Sequence, residues 1–132
     1  MSTVIWLNSL TEIPASQWDA LFAADSTFEN YPFCRHAFLL ALEQGGSVDG
    51  TSGWRSQHLT VWQGETLIAA MPGYLKQHSY GEYLFDWQIA EAHHQFKLPY
   101  YPKWLTAIPF TPAFGPRLGV RPELFDTALS LI

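Results

Sequence analysis

Gly115, Arg117, Gly119 and Arg121 fall in a Gly- and Pro-rich loop and at the start of a helix, where they could hold an anion. Residues 100–110 read as an aromatic-rich strand, 111–120 as a loop, and 122–132 as a helix with Pro122 in its first turn. A strand that ends in a Gly-bearing loop and opens a helix offers unpaired backbone N–H groups and a partial positive charge to an anion. Glycine lets such a group approach the backbone closely, and arginines add charge-assisted bonds. The charge distribution agrees. Residues 98–122 hold no acid but include Lys103, Arg117 and Arg121, whereas residues 1–50 hold six acids and one base, Arg35. The plainer alternative is a tight surface loop with solvated arginines.

Glu82 and Asp86 form a second constellation, with Lys76, His78 and Ser79 just upstream and Lys103 able to approach from the next strand. Positioned carboxylates of this kind can take protons from reacting groups. The alternative is structural: Asp86 caps a helix and Glu82 pairs with a lysine. Tyr100, Tyr101 and Trp104 can line a substrate groove or fill a core. His93 and His94 point about 100° apart on a helix, so they do not share an ion, and no metal site is expected. Cys34, the single cysteine, cannot form an internal disulfide. Its aromatic neighbours suggest a buried, inert thiol.

The elements that must place these residues follow from pattern. Residues 3–7 are apolar and β-prone. Ser9 or Thr11 caps a helix with Pro14 in its first turn, and Trp18, Leu21 and Phe22 recur at helical spacing. A second helix spans 35–44 and stops at Gly45 and Gly46. Residues 55–62 and 66–76 form a hairpin about the turn 63–65, with Pro72 marking an edge or a bulge. Asp86 opens a helix over 87–97 whose apolar side holds Trp87, Ala90, His94 and Phe96. The order predicts an α/β (α+β) fold, a mostly antiparallel central sheet flanked by helices. The last helix runs to Ile132 without a cap, so the chain is expected to stop inside a larger domain. Exposed edges of such a portion would favour homo-oligomers.

Bulk properties bound the rest. The 132 residues are 48% hydrophobic and only 14% charged, a globular composition for one domain. The net charge of −5 argues against a general nucleic-acid binder. No signal peptide or membrane span is evident, which makes the cytoplasm the expected location.

Several strings together resemble the FemAB-like peptidoglycan biosynthesis/recognition family, whose members are often described as GNAT-fold N-acetyltransferases. They are Phe38-Leu39-Leu40-Ala41-Leu42-Glu43, Gly53-Trp54-Arg55 with His58-Leu59, and Pro72-Gly73-Tyr74-Leu75-Lys76. His78-Ser79-Tyr80-Gly81-Glu82-Tyr83-Leu84-Phe85-Asp86, Tyr100-Tyr101-Pro102-Lys103, Pro109-Phe110-Thr111-Pro112 and Gly115-Pro116-Arg117-Leu118 complete the set. The resemblance implies that residues 1–132 are the N-terminal part of an acyl-CoA N-acyltransferase-like domain. It implies acyl or aminoacyl transfer to a small-molecule or peptide amine acceptor, with acyl-CoA or aminoacyl-tRNA as donor and no tightly bound cofactor. In that setting Gly115, Arg117, Gly119 and Arg121 would hold the donor's pyrophosphate. Glu82 and Asp86 would be catalytic, and Tyr100, Tyr101 and Lys103 would contact substrate. The acyl-CoA signature Q/R-x-x-G-x-G/A is not found, and the nearest text is Gly115-Pro116-Arg117-Leu118-Gly119. A non-catalytic module recognising a peptide or cell-wall precursor is the alternative.

Overall fold

The computed structural model describes residues 2–23, 31–48, 51–80, 86–111 and 115–132. Strand β1 (Ser2–Leu7) leads to helices α1 (Ala15–Ala23) and α2 (His36–Gln44). Strands β2 (Trp54–Ser56), β3 (His58–Gln63), β4 (Thr66–Met71) and β5 (Tyr74–Lys76) follow. Helix α3 (Trp87–Gln95), strands β6 (Lys103–Leu105) and β7 (Gly119–Val120), and helix α4 (Phe125–Leu129) complete the described elements. Two antiparallel sheets result, ordered β1-β3-β4-β7 and β2-β5-β6. The fold is therefore α+β, as the element order predicts.

The expected hairpin exists, but it turns a corner. Ser56 opposes Tyr74 and Trp54 opposes Lys76, in the same register that sets Leu59 against Met71 and Val61 against Ala69. β2 and β3 are thus one strand in register, as are β4 and β5, bent at Gln57 and at Pro72-Gly73. Pro72 has no N–H to give a ladder, which is why the sheet divides there. The polar groups of the corner find other partners. Gln57 N donates to Gly73 O (2.8 Å), Gly73 N to His58 Nδ1 (3.1 Å), Trp104 Nε1 to Gln57 O (2.8 Å) and Thr106 Oγ1 to Pro72 O (2.7 Å). Gly73 is required because a Cβ would lie 2.2 Å from the Trp104 ring. A bulge between Val61 and Trp62 shifts the register by one beyond that point.

Glu43, near the end of α2, anchors the first segment to this ribbon. It accepts from Ser9 Oγ (2.8 Å), from Leu10 N (3.1 Å) and from His58 Nε2 (3.0 Å). Because His58 Nδ1 receives the Gly73 N–H, the ring proton sits on Nε2 and points at Glu43. Burial pushes the Glu43 carboxyl up, but the bonds from His58, Ser9 and Leu10 outweigh it and hold the pKa below the ordinary value. Beside it, burial first and the Glu43 charge next drive the Tyr74 phenol well above its ordinary range. The Tyr74 hydroxyl has no hydrogen-bond partner among the described residues.

The helices depart from expectation at their ends. Ser9 does cap, but it caps a 3-10 turn (Leu10–Glu12), with Glu12 closing a capping box. Arg35 supplies no cap to α2; Asp19 of α1 accepts the His36 N–H at 2.8 Å instead. Trp18 and Leu21 are buried as the helical spacing predicts, in a core with Leu7, Leu39 and Ile108. On α3, His94 and Phe96 of the expected apolar side are exposed and Ala90 is half-buried. Residues 100–110 contribute only the three-residue β6, bounded by Pro102. Residues 122–132 form a 3-10 turn and the five-residue α4 rather than one long helix. No described helix is long and apolar enough to cross a membrane.

Gly73→Ala is expected to lower the unfolding free energy by about 1–3 kcal/mol, the usual range for overpacking. Urea denaturation reads this as a lower midpoint at unchanged slope; an unchanged midpoint would show that the corner has room to spare.

Candidate functional site

Residues from three segments meet at the far end of the β2-β5-β6 sheet. In that sheet Lys76 stands directly opposite Lys103. Like charges placed so repel each other and need acceptors. Lys103 Nζ lies 2.6 Å from Asp86 Oδ2 and 3.0 Å from Ser79 Oγ. Tyr100 donates its hydroxyl to the same Asp86 oxygen at 2.5 Å. The Ser79 and Tyr101 hydroxyls bond each other. Lys103 Nζ also sits 5.2 Å and 5.6 Å from the centres of the Tyr100 and Tyr101 rings, within cation–π range. Lys76 is fully buried; its Nζ donates to Tyr80 O (2.9 Å) and lies 3.8 Å from the Trp54 ring centre.

Asp86 is 4% exposed, and burial pushes its carboxyl up. Hydrogen bonds from Lys103 and Tyr100, with the Lys103 charge, more than reverse this and bring the pKa down to about 2. Asp86 is therefore ionised at neutral pH. The same bond to Asp86, with burial adding to it, raises the Tyr100 phenol. Asp86 occupies the N-cap position of α3 but makes no capping bond, so the capping alternative fails. Lys103 is the stronger claimant, because an ionic bond outweighs a neutral one. Asp86 Oδ1 is buried and has no hydrogen-bond partner among the described residues.

Of the residues singled out in the sequence, Asp86, Tyr100, Tyr101 and Lys103 come together here. Glu82 lies outside the described residues. In the sequence, Lys76 and Ser79 stand out only as neighbours of the carboxylates. Alternation along β5 could have shown Lys76 on the same face as buried Tyr74.

The structure does not assemble the Gly115–Arg121 segment as expected. The face of Gly115 is filled by the Tyr31 ring, 2.3 Å from where a Cβ would stand, and that of Gly119 by Phe22 and Leu21. The glycines admit side chains of this chain, where an approaching phosphate was expected. Arg117 Nη1 donates to Tyr31 Oη (3.2 Å), Gly115 O (3.2 Å) and Pro116 O (3.0 Å). Gly119 and Val120 form β7, paired with β4, in place of open loop. Arg121 lines a cleft of about 500 Å³. Cys34 is buried and donates to Pro116 O at 3.0 Å; burial, partly offset by Arg117, pushes its thiol up to about 12. That thiol is not a nucleophile at neutral pH.

The sequence from 9 to 131 matches the family model FemAB-like, described as peptidoglycan biosynthesis/recognition. The chain belongs to the FemAB-like family. No curated protein and no solved structure matches it. Membership ties this FemAB-like chain to peptidoglycan biosynthesis or recognition. The strings that carried the resemblance supply both the corner (His58, Pro72, Gly73) and the polar cluster (Lys76, Ser79, Asp86, Tyr100, Tyr101, Lys103).

Asp86 has a pKa lowered from 3.8 to about 2. Its stabilisation is complete above the unfolded value and is lost as pH falls through the folded one. Between about pH 4 and pH 2, wild type should lose roughly 2 kcal/mol that Asp86→Asn does not lose. Chemical denaturation at stepped pH measures the difference, and parallel curves for the two proteins would disprove the pairing.

Proposed function

We propose that this chain forms part of an acyl- or aminoacyl-transferase acting on an amine acceptor in peptidoglycan precursor metabolism. The observation that supports it is the clamped pair Asp86–Lys103 in the same cross-strand row as Lys76. When an amine attacks an acyl carbon, negative charge collects on the carbonyl oxygen. Fixed cations and hydroxyl donors in a water-poor site stabilise that charge. Lys103, placed by Asp86, is such a donor, and the Ser79 and Tyr101 hydroxyls adjoin it. A carboxylate with a pKa of about 2 is too weak a base to take the amine's proton. We assign proton removal to Glu82, and to Asp86 the positioning of Lys103. Tyr100 and Tyr101 flank the acceptor. The donor in this reading is an acyl-CoA or an aminoacyl-tRNA.

A second reading, recognition without turnover, has its own support. The five groups with shifted pKa values, Cys34, Glu43, Tyr74, Asp86 and Tyr100, all move away from neutrality, which suits binding better than proton transfer.

In the intact protein, supplied with acyl-CoA or aminoacyl-tRNA and a muropeptide amine, Lys103→Met should reduce kcat about 100-fold or more. Lys103→Arg should restore part of the loss. Turnover unaffected by Lys103→Met would refute the electrostatic role, and saturable muropeptide binding with no turnover under any donor would favour recognition.

A further inference from the structure

A separate cleft of about 500 Å³ lies at the other end of the bent hairpin, between α1, the turn at Glu65 and the segment after β7. Its volume is that of a small-ligand site. Its floor is apolar, from the buried residues Leu21 and Leu67, and its rim is polar.

Arg121 on that rim is fixed by the backbone. Its amide donates to Ile68 O (2.9 Å) and its Nε to Leu67 O (3.1 Å). The guanidinium is therefore held by one edge, and its terminal nitrogens have no hydrogen-bond or ion-pair partner among the described residues. Those two parallel N–H directions suit a carboxylate. The cleft is not a polyanion site, because Glu65 and Glu123 line it too, and neither has an ion-pair partner among the described residues. One cation and two carboxylates repel a pyrophosphate. They complement a ligand that brings a carboxylate together with an ammonium group. Gln17 adds a neutral amide that can serve either end of a peptide unit.

We infer that this cleft binds a zwitterionic amino-acid or peptide end, its carboxylate on Arg121 and its ammonium on Glu65 and Glu123. The apolar floor receives a small side chain such as a methyl group. The inference does not rest on the transferase reading, since the two sites share no residue.

Four probes test it on the intact chain by amide chemical-shift titration: alanyl-alanine, N-acetyl-alanyl-alanine, alanyl-alaninamide and inorganic pyrophosphate. Alanyl-alanine should give saturable shifts around Glu65 and Arg121. Each capped dipeptide should bind about tenfold more weakly, since each lacks one charged partner. Arg121→Gln should abolish the preference for a free carboxylate. Glu123→Gln, at an exposed position that carries no packing role, should weaken alanyl-alanine but leave alone the N-acetyl dipeptide, which has no ammonium. Equal binding of capped and free dipeptides, tighter binding of pyrophosphate than of alanyl-alanine, or no saturable shift at the cleft would each overturn the assignment.

Discussion

One partly buried carboxylate, Glu43, is where the fold is tied together. It receives the Ser9 hydroxyl, the Leu10 amide and the His58 ring, and through His58 it reaches the Gly73 amide. Four stretches of chain distant in sequence therefore meet in one hydrogen-bonded chain. A charged group survives burial only when its acceptor sites are filled, and here they are filled by donors that the neighbouring elements need to place anyway. Removing the carboxylate would leave the Leu10 N–H and the His58 proton without that acceptor, a larger penalty than the bonds themselves confer.

The corner at Pro72 converts this anchoring into a site. Without an N–H at Pro72, the long hairpin cannot remain one flat sheet, and its outer half swings away as β2 and β5. That half gains β6 as a third strand, which brings Lys103 opposite Lys76. Trp104, the residue next along, reaches back to Gln57 O and packs on Gly73. The same short strand thus holds the corner and presents the lysine. Positioning of this kind, by packed strands rather than by a loop, gives a charged group a defined place.

Much of the outline was legible in the sequence. Period-two patterning located the hairpin, glycine located the end of α2, and helical spacing picked out Trp18 and Leu21. Asp86, Tyr100, Tyr101 and Lys103 were singled out, and they do converge. The failures share a cause. The 100–110 segment reads as a strand from its aromatics, yet only three residues pair, because prolines on either side remove donors. β7 is two residues long, too short for any alternation, and exists because β4 offers it an edge. Asp86 sits where a cap belongs, but local pattern cannot reveal that a lysine seventeen residues later competes for it. Gly115 and Gly119 signal close approach correctly. What approaches them is set by tertiary packing, and it is Tyr31, Phe22 and Leu21.

Pairing stays in step from Val61 and Ala69, through the bend, to Trp54 and Lys76. The ribbon therefore transmits a count. The single extra residue absorbed at the bulge near Val61 fixes the alignment of everything beyond it. Had that residue not been absorbed, every partner in the outer half would move by one place, and Lys76 would turn its ammonium to the opposite face from Trp54. The side on which Lys76 stands at one end of the hairpin is in this sense spelled by the length of chain at the other.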